Sequence, residues 1–92
     1  MKKLRDLKNV GKATLADLYL LDIYSVEELS FQDPTELFQR LEKKTRERQD
    51  PCVWDVFAAI IHEAKTGEQT AWWGWTAKRK LLQKAGTLVH IV

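Results

Sequence analysis

The 92-residue sequence is poor in the residues that build covalent and metal cross-links, with one cysteine and two histidines. Cys52 alone cannot form an intramolecular disulfide, and two histidines leave little from which to build a zinc site. No run of about 18 apolar residues is available to span a bilayer, and the basic start lacks the apolar segment of a signal peptide. We therefore expect a cytoplasmic protein without metal, cofactor or membrane contact, stabilised by packing alone.

The residues that are present favour helices. An apolar content of 45% is enough for one small core. Helix start and stop residues recur along the chain, whereas strand patterns are almost absent. The predicted fold is therefore all-α, a single domain of about five helices over residues 1–92. Helices are predicted at residues 2–8 and 12–21, after Ser25, from Asp33-Pro34 to about Arg46, from Asp50-Pro51 to Gly67, and from Thr76 to Gly86.

The predicted core comes from the apolar faces of the last three helices, of which the helix after Asp50 is the spine. The charged run from Glu42 to Arg48 is predicted to be a solvated helix face, and Thr76 is predicted to cap the last helix. The apolar tail after Gly86 is expected to dock on the body or on a second copy. The predicted core positions are Leu37, Phe38 and Leu41; Val53, Val56, Phe57, Ile60, Ile61 and Ala64; and Leu81, Leu82 and Ala85.

The formal net charge of +2 conceals an uneven distribution of charge along the chain. Residues 1–12 carry a local charge of +4, residues 71–92 carry +4, and residues 13–40 carry −5. If the fold joins the two ends, they form one positive face of the kind that a phosphate backbone needs. If it does not, two small basic patches on a nearly neutral protein have little significance.

The stretch Asn9-Val10-Gly11 predicts a tight turn between two helices. The first N–H groups of the second helix are unpaired there, and such a helix start attracts anions. Gly11 lets a phosphate approach the backbone, Lys8 and Lys12 add positive charge, and Val10 fills the turn from the core side. The predicted DNA-binding residues are Lys8, Asn9, Val10, Gly11, Lys12 and Ala13, which would hold a phosphate backbone without reading its sequence.

This turn resembles a helix-hairpin-helix motif, with Asn9 in place of the first glycine of the usual Gly-hydrophobic-Gly turn. The segments LKNVGKATLADLYLLDI, DPTELFQRL, RQDPCVWDVF and AWWGWT, in this order over residues 4–76, resemble a small bacterial family of pathogenicity-locus or mitomycin-resistance proteins. A similar motif closes the TfoX-like C-terminal domain. The resemblance implies a helix-hairpin-helix fold and sequence-nonspecific DNA binding, in DNA repair, uptake or stress resistance. Residues 77–92 lie beyond the shared pattern.

The tryptophan-rich loop supports two interpretations. Trp72, Trp73 and Trp75 can stack on exposed bases while Lys78 and Arg79 hold phosphates. Large aromatic side chains more often close a small core or an interface, and we favour this second interpretation. It leads to an alternative function, a module for homodimerisation or for binding a protein partner, which uses the tryptophan-rich face and the apolar tail Leu88–Val92.

A metal or nucleophile site is the remaining candidate, because Asp50, Cys52, Asp55 and His62 share one helix. On a helix, Asp55 and His62 lie on one side, away from the apolar stripe, but two turns separate them by roughly 10 Å, too far for one ion. We therefore interpret Asp50 as the helix cap, Asp55 as a favourable charge near the helix start, and Cys52 as a small packed residue or an inert thiol. No catalytic or metal-binding residue is predicted, and we do not expect an enzyme.

Overall fold

The computed structural model describes residues 2–91, and within them it contains five α-helices, two short 3-10 turns and no β-strand. The prediction of an all-α single domain is confirmed. No helix in this part of the chain has the length and apolar character needed to cross a membrane. The helices are α1 (Lys12–Leu20), α2 (Val26–Ser30), α3 (Pro34–Thr45), α4 (Cys52–Thr66) and α5 (Thr76–Lys84), and the 3-10 turns are Leu4–Asp6 and Trp72–Trp75.

Helix α4 is the centre of the fold. Helices α2, α3 and α5 and the second 3-10 turn all pack against it. The predicted stripe is confirmed at Phe57, Ile60 and Ile61, which are buried, while the other three stripe residues are partly buried. Burial extends beyond this stripe to Trp54 and Ala58. A helix that is buried on more than one face belongs inside the domain rather than on its surface.

The predicted helix starts and stops are confirmed at three points. Ser25 Oγ accepts a hydrogen bond of 3.0 Å from the N–H of Glu28 at the start of α2. Asp33 Oδ2 accepts one of 3.0 Å from the N–H of Glu36 at the start of α3. Gly67, with φ at +79°, ends α4 in the left-handed conformation that a glycine adopts without steric cost.

The helix predicted at residues 2–8 is wrong, because only Leu4–Asp6 form a single 3-10 turn. Leu4 and Leu7 are both buried, and a spacing of three brings them onto one side of such a turn. So short a segment also gains too few hydrogen bonds to sustain an α-helix by itself. The first helix of a helix-hairpin-helix is therefore reduced to one turn, and that motif stays a prediction.

The predicted inner face of α5 is wrong at two of its three residues. Leu81 is 68% exposed and Ala85 is exposed, while Leu82 is partly buried. Thr76 begins the helix but does not cap it, because its hydroxyl donates a 2.7 Å hydrogen bond to Asp55 Oδ2. The helix instead turns Arg79 inward.

Three buried carboxylates, those of Glu42, Asp55 and Glu63, hold the peripheral segments on the helical body. Glu63 Oε2 accepts from Lys2 Nζ at 3.0 Å, and its Oε1 accepts from the backbone N–H of Lys8 at 2.9 Å. Asp55 Oδ1 accepts from Arg79 Nε at 2.9 Å. Each carboxylate thus fixes a segment that is remote in sequence.

Glu42 anchors the C-terminal tail, so the predicted solvated face is wrong at this residue. Its carboxylate accepts from the N–H of Ile91 at 3.0 Å and pairs with Nδ1 of His90. Leu88 enters the core, and Gln39 Nε2 donates to the carbonyl of Val89 at 3.2 Å. Of the two expectations for the tail, docking on the body is the one observed over residues 87–91, and Val92 lies outside the described residues.

Candidate nucleic-acid interface

The predicted turn is present and is tied to the body at two points. Asn9 has φ at +73°, in the left-handed region, and its Nδ2 donates a 2.8 Å hydrogen bond to the carbonyl of Thr70. The preceding N–H, that of Lys8, donates to Glu63 as described above. Val10 packs against the core, as predicted. Asparagine thus supplies the positive φ at this turn, because it tolerates the left-handed conformation better than most residues do.

The start of α1 is open to solvent. Gly11 precedes the helix with φ at −94°, and no side chain caps the first turn. A Cβ at Gly11 would meet no heavy atom within 4 Å. Lys8 and Lys12 are exposed, and within residues 2–91 neither side chain takes part in an ion pair. The unpaired N–H groups of this turn and the positive end of the helix dipole are therefore accessible to an anion.

The fold brings the tryptophan-rich turn next to the start of α1. Trp72 lines an apolar cavity of about 300 Å³ together with Ala13 and Thr14 of the first turn of α1. Trp73 contacts Trp72 edge to face, with 5.7 Å between ring centroids, and is 64% exposed. Aromatic surface and the helix start are thus neighbours, although about sixty residues separate them along the chain.

The other aromatic and basic candidates of this region have partners of their own. Trp75 packs on the core, and its ring centroid lies 5.3 Å from that of His62. Lys78 Nζ lies 5.8 Å from the centroid of the Trp75 ring. The guanidinium of Arg79 is held by Asp55 in the interior. Trp54 is buried, and its Nε1 donates to Thr35 Oγ1 at 3.0 Å.

The segment around Cys52 has structural partners. Asp50 Oδ1 accepts from the N–H of Cys52 at 2.8 Å, and this hydrogen bond lowers the pKa of Asp50. Burial raises the pKa of the Cys52 thiol, and the hydrogen bond with Asp50 raises it further. The prediction that Asp55 lies away from the core is wrong, because it is fully buried against Arg79. His62 instead contacts Glu68 at 2.6 Å.

Within residues 2–91, no three His, Cys, Asp or Glu side chains are grouped so that they could hold a metal ion.

The residues that position the turn, Glu63 and Thr70, were not predicted. Their partners Lys8 and Asn9 lie 55 and 61 positions away, and no spacing pattern in a sequence links residues so far apart. The sequence does hold a weak signal that Glu63 is buried, since most residues that precede it on this helix are apolar.

The molecule is thus a small all-α domain with an accessible helix start beside a basic turn and an exposed tryptophan. The chain belongs to the pathogenicity-locus family, since the family model described as "Cdd1: Pathogenicity locus" matches residues 1–81. It is also similar to the mitomycin resistance protein McrB of Streptomyces lavendulae, with 30% identity over 79 residues, which cover 86% of this chain and 75% of the relative. No solved structure matches the chain.

Proposed function

We propose that this protein binds DNA without sequence specificity, through the phosphate backbone, at the turn and the first residues of α1. The observation that carries the proposal is the uncapped start of α1 beside Gly11, where even an added Cβ would meet no heavy atom within 4 Å. The proposed contacts are the backbone N–H groups from Gly11 to Ala13 and the side chains of Lys8 and Lys12, on a turn whose shape depends on Asn9 and Val10.

The rigidity of the turn supports this proposal. Because Lys8 and Asn9 are hydrogen-bonded to α4 and to the loop after it, the N–H groups keep their direction when no ligand is bound. A site with few phosphate contacts binds nonspecifically, with a Kd of about 10⁻⁴ to 10⁻⁶ M at physiological salt. The exposed Trp73 can add a base contact worth about 1–3 kcal/mol.

The cellular setting that we propose is DNA repair, DNA uptake or stress resistance in the cytoplasm, where the DNA is found. The relative from Streptomyces lavendulae is named for mitomycin resistance, which is consistent with a role in stress resistance. Because the contacts are made to phosphates, the proposed function requires no reaction, metal or cofactor.

Fluorescence anisotropy with labelled duplex and single-stranded DNA at two salt concentrations tests the proposal. Gly11→Val keeps an allowed backbone conformation, and its Cβ would meet no heavy atom within 4 Å, so we expect it to fold while obstructing the phosphate. We expect at least a fivefold loss of affinity in this variant, and a loss of steep salt dependence in Lys8→Gln/Lys12→Gln. Lys84→Gln, on the exposed side of α5, is the control. Salt-independent binding, or full affinity in a folded Gly11→Val, would refute the proposal.

An interaction module is the second candidate, favoured by the half-exposed Val89 and Ile91 of the docked tail and by Trp73. Deleting the tail would also remove Leu88 from the core, so point substitutions are the sharper test. If the protein dimerises through the tail, light scattering should show a dimer that Val89→Ser/Ile91→Ser converts to a monomer. If it dimerises through Trp73, Trp73→Ser should have that effect. A monomeric wild type at about 100 μM would exclude homodimerisation of useful affinity.

A further inference from the structure

Two exposed tyrosines stack on each other at the far end of α1. The ring centroids of Tyr19 and Tyr24 lie 5.7 Å apart, with 25° between the planes, and the residues are 47% and 61% exposed. The hydroxyl of Tyr24 donates to Asp22 Oδ1 at 3.2 Å, and its backbone N–H donates to Glu28 Oε1 at 3.3 Å. The ring of Tyr24 is therefore fixed in place while its surface remains in solvent. We call this pair the tyrosine platform.

Basic side chains lie on one side of the platform. A cavity of about 550 Å³ between the tyrosines and the N-terminal segment is lined by Lys2, Lys3 and Arg5. Lys2 is paired with Glu63, whereas Lys3 and Arg5 take part in no ion pair within residues 2–91. Their positive charges are therefore available to a ligand that touches the rings.

A second basic cluster lies near the platform, beyond Asp22. A cavity of about 500 Å³ is lined by Arg40, Lys43, Lys44 and Arg46, together with Asp22. Arg40 is partly engaged, since it donates to the carbonyl of Leu21 at 3.2 Å. Because Asp22 lines this cavity and also accepts the hydroxyl of Tyr24, the second basic cluster is adjacent to the platform.

We propose that the tyrosine platform and its two basic clusters bind single-stranded DNA, with bases stacked on the rings and phosphates on the clusters. This inference rests on the proposed DNA binding and adds a preference for unpaired strands, because the bases of a duplex are already stacked on one another. An acidic peptide would match the basic clusters but would leave the ring faces unused. Roughly 10 Å of helix separates Tyr19 from the start of α1, so one short strand can contact both sites.

The test compares the affinities of a labelled 12-nucleotide single strand and of a duplex of the same sequence. We expect Tyr24→Ala to weaken single-strand binding about 5- to 100-fold and to leave duplex binding within twofold. Tyr24→Phe keeps the ring and should bind within about threefold of the wild type. Phe31→Ala is the matched control, since Phe31 is also exposed but lines neither cavity. Lys3→Gln/Arg5→Gln should lower the single-strand salt slope by about 1.4.

Failure of this inference is distinguishable from failure of the proposed function. If Gly11→Val weakens the binding of both the single strand and the duplex but Tyr24→Ala changes neither affinity, the turn binds DNA and the platform does not. If the platform variants abolish single-strand binding and Gly11→Val has no effect, the platform is supported and the turn is refuted. Poly-glutamate that binds as tightly as the single strand, with the same loss of affinity in Tyr24→Ala, would make the platform a protein-binding site. An RNA 12-mer of the same sequence that binds more tightly than the DNA strand would overturn the assignment to DNA.

Discussion

The buried ion pair between Asp55 and Arg79 gives the sharpest stability prediction. Asp55 is fully buried, and its carboxylate accepts from Arg79 Nε at 2.9 Å and from the Thr76 hydroxyl at 2.7 Å. In Arg79→Leu, the hydroxyl of Thr76 would be the remaining side-chain partner of a charge held inside the protein. Removing one partner of such a pair costs about 3–5 kcal/mol, because the other charge stays desolvated.

That loss is large for a domain of this size. The free energy of unfolding of native domains is about 5–15 kcal/mol. A loss of about 1 kcal/mol lowers the melting temperature by about 4–8 °C in a domain of 60–100 residues. Arg79→Leu should therefore lower the melting temperature by at least about 12 °C. Urea denaturation followed by circular dichroism measures the free energy directly. Lys80→Leu, at the next and exposed position of α5, is the matched control and should change it by less than about 0.5 kcal/mol.

The double variant Asp55→Leu/Arg79→Leu separates the charge from the shape of the site. Because no buried charge is left unpaired, it should recover most of the stability lost in Arg79→Leu. A loss below about 1 kcal/mol in Arg79→Leu would show that the pair does not hold α5 to the body. A double variant no more stable than Arg79→Leu would show that packing, rather than the unpaired carboxylate, causes the loss.

Two further predictions concern single side chains. Burial raises the pKa of Glu42, but hydrogen bonds from His90 and from the N–H groups of Gln49 and Ile91 outweigh burial, so the pKa is lowered. The stability that this carboxylate contributes is therefore present above its ordinary pKa of about 4.3. That stability is lost as the pH falls through the pKa of the folded state. The urea midpoint should thus decrease less from pH 7 to pH 3 in Glu42→Gln than in the wild type. Equal decreases in the two proteins would contradict the stabilising role of the Glu42 carboxylate. Cys52 should react with iodoacetamide at pH 8 more slowly than free cysteine, because burial raises its pKa, whereas a faster reaction would indicate an activated thiol.

Local chemistry made the helices α2, α3 and α4 predictable from the sequence. Ser25 and Asp33 accept hydrogen bonds from the turns that follow them, and Gly67 ends α4, so these boundaries depend on residues next to one another in the chain. The turn at Asn9 was predictable for the same reason, since few residues tolerate its positive φ.

The orientation of α5 could not be predicted from its own residues. Its leucines indicate an inner face at Leu81 and Leu82, but the observed inner face contains Thr76 and Arg79, which bind Asp55. The side of α5 that faces the body is thus determined by Asp55, a charged residue on another helix. The sequence does hold one signal, because Asp55 lies in a segment with apolar residues on every side and must find a partner if that segment is central.

Of the three buried carboxylates, Glu63 connects the stability of the fold to the proposed function. Both oxygens of Glu63 bind the N-terminal segment, one at Lys2 and the other at the N–H of Lys8, next to the turn. A buried carboxylate with two such partners restricts the segment more than an exposed ion pair would. It follows that Glu63→Gln, which keeps the size but removes the charge, should loosen the turn and weaken DNA binding without touching the ligand. Full affinity in a folded Glu63→Gln would mean that the turn needs no such support.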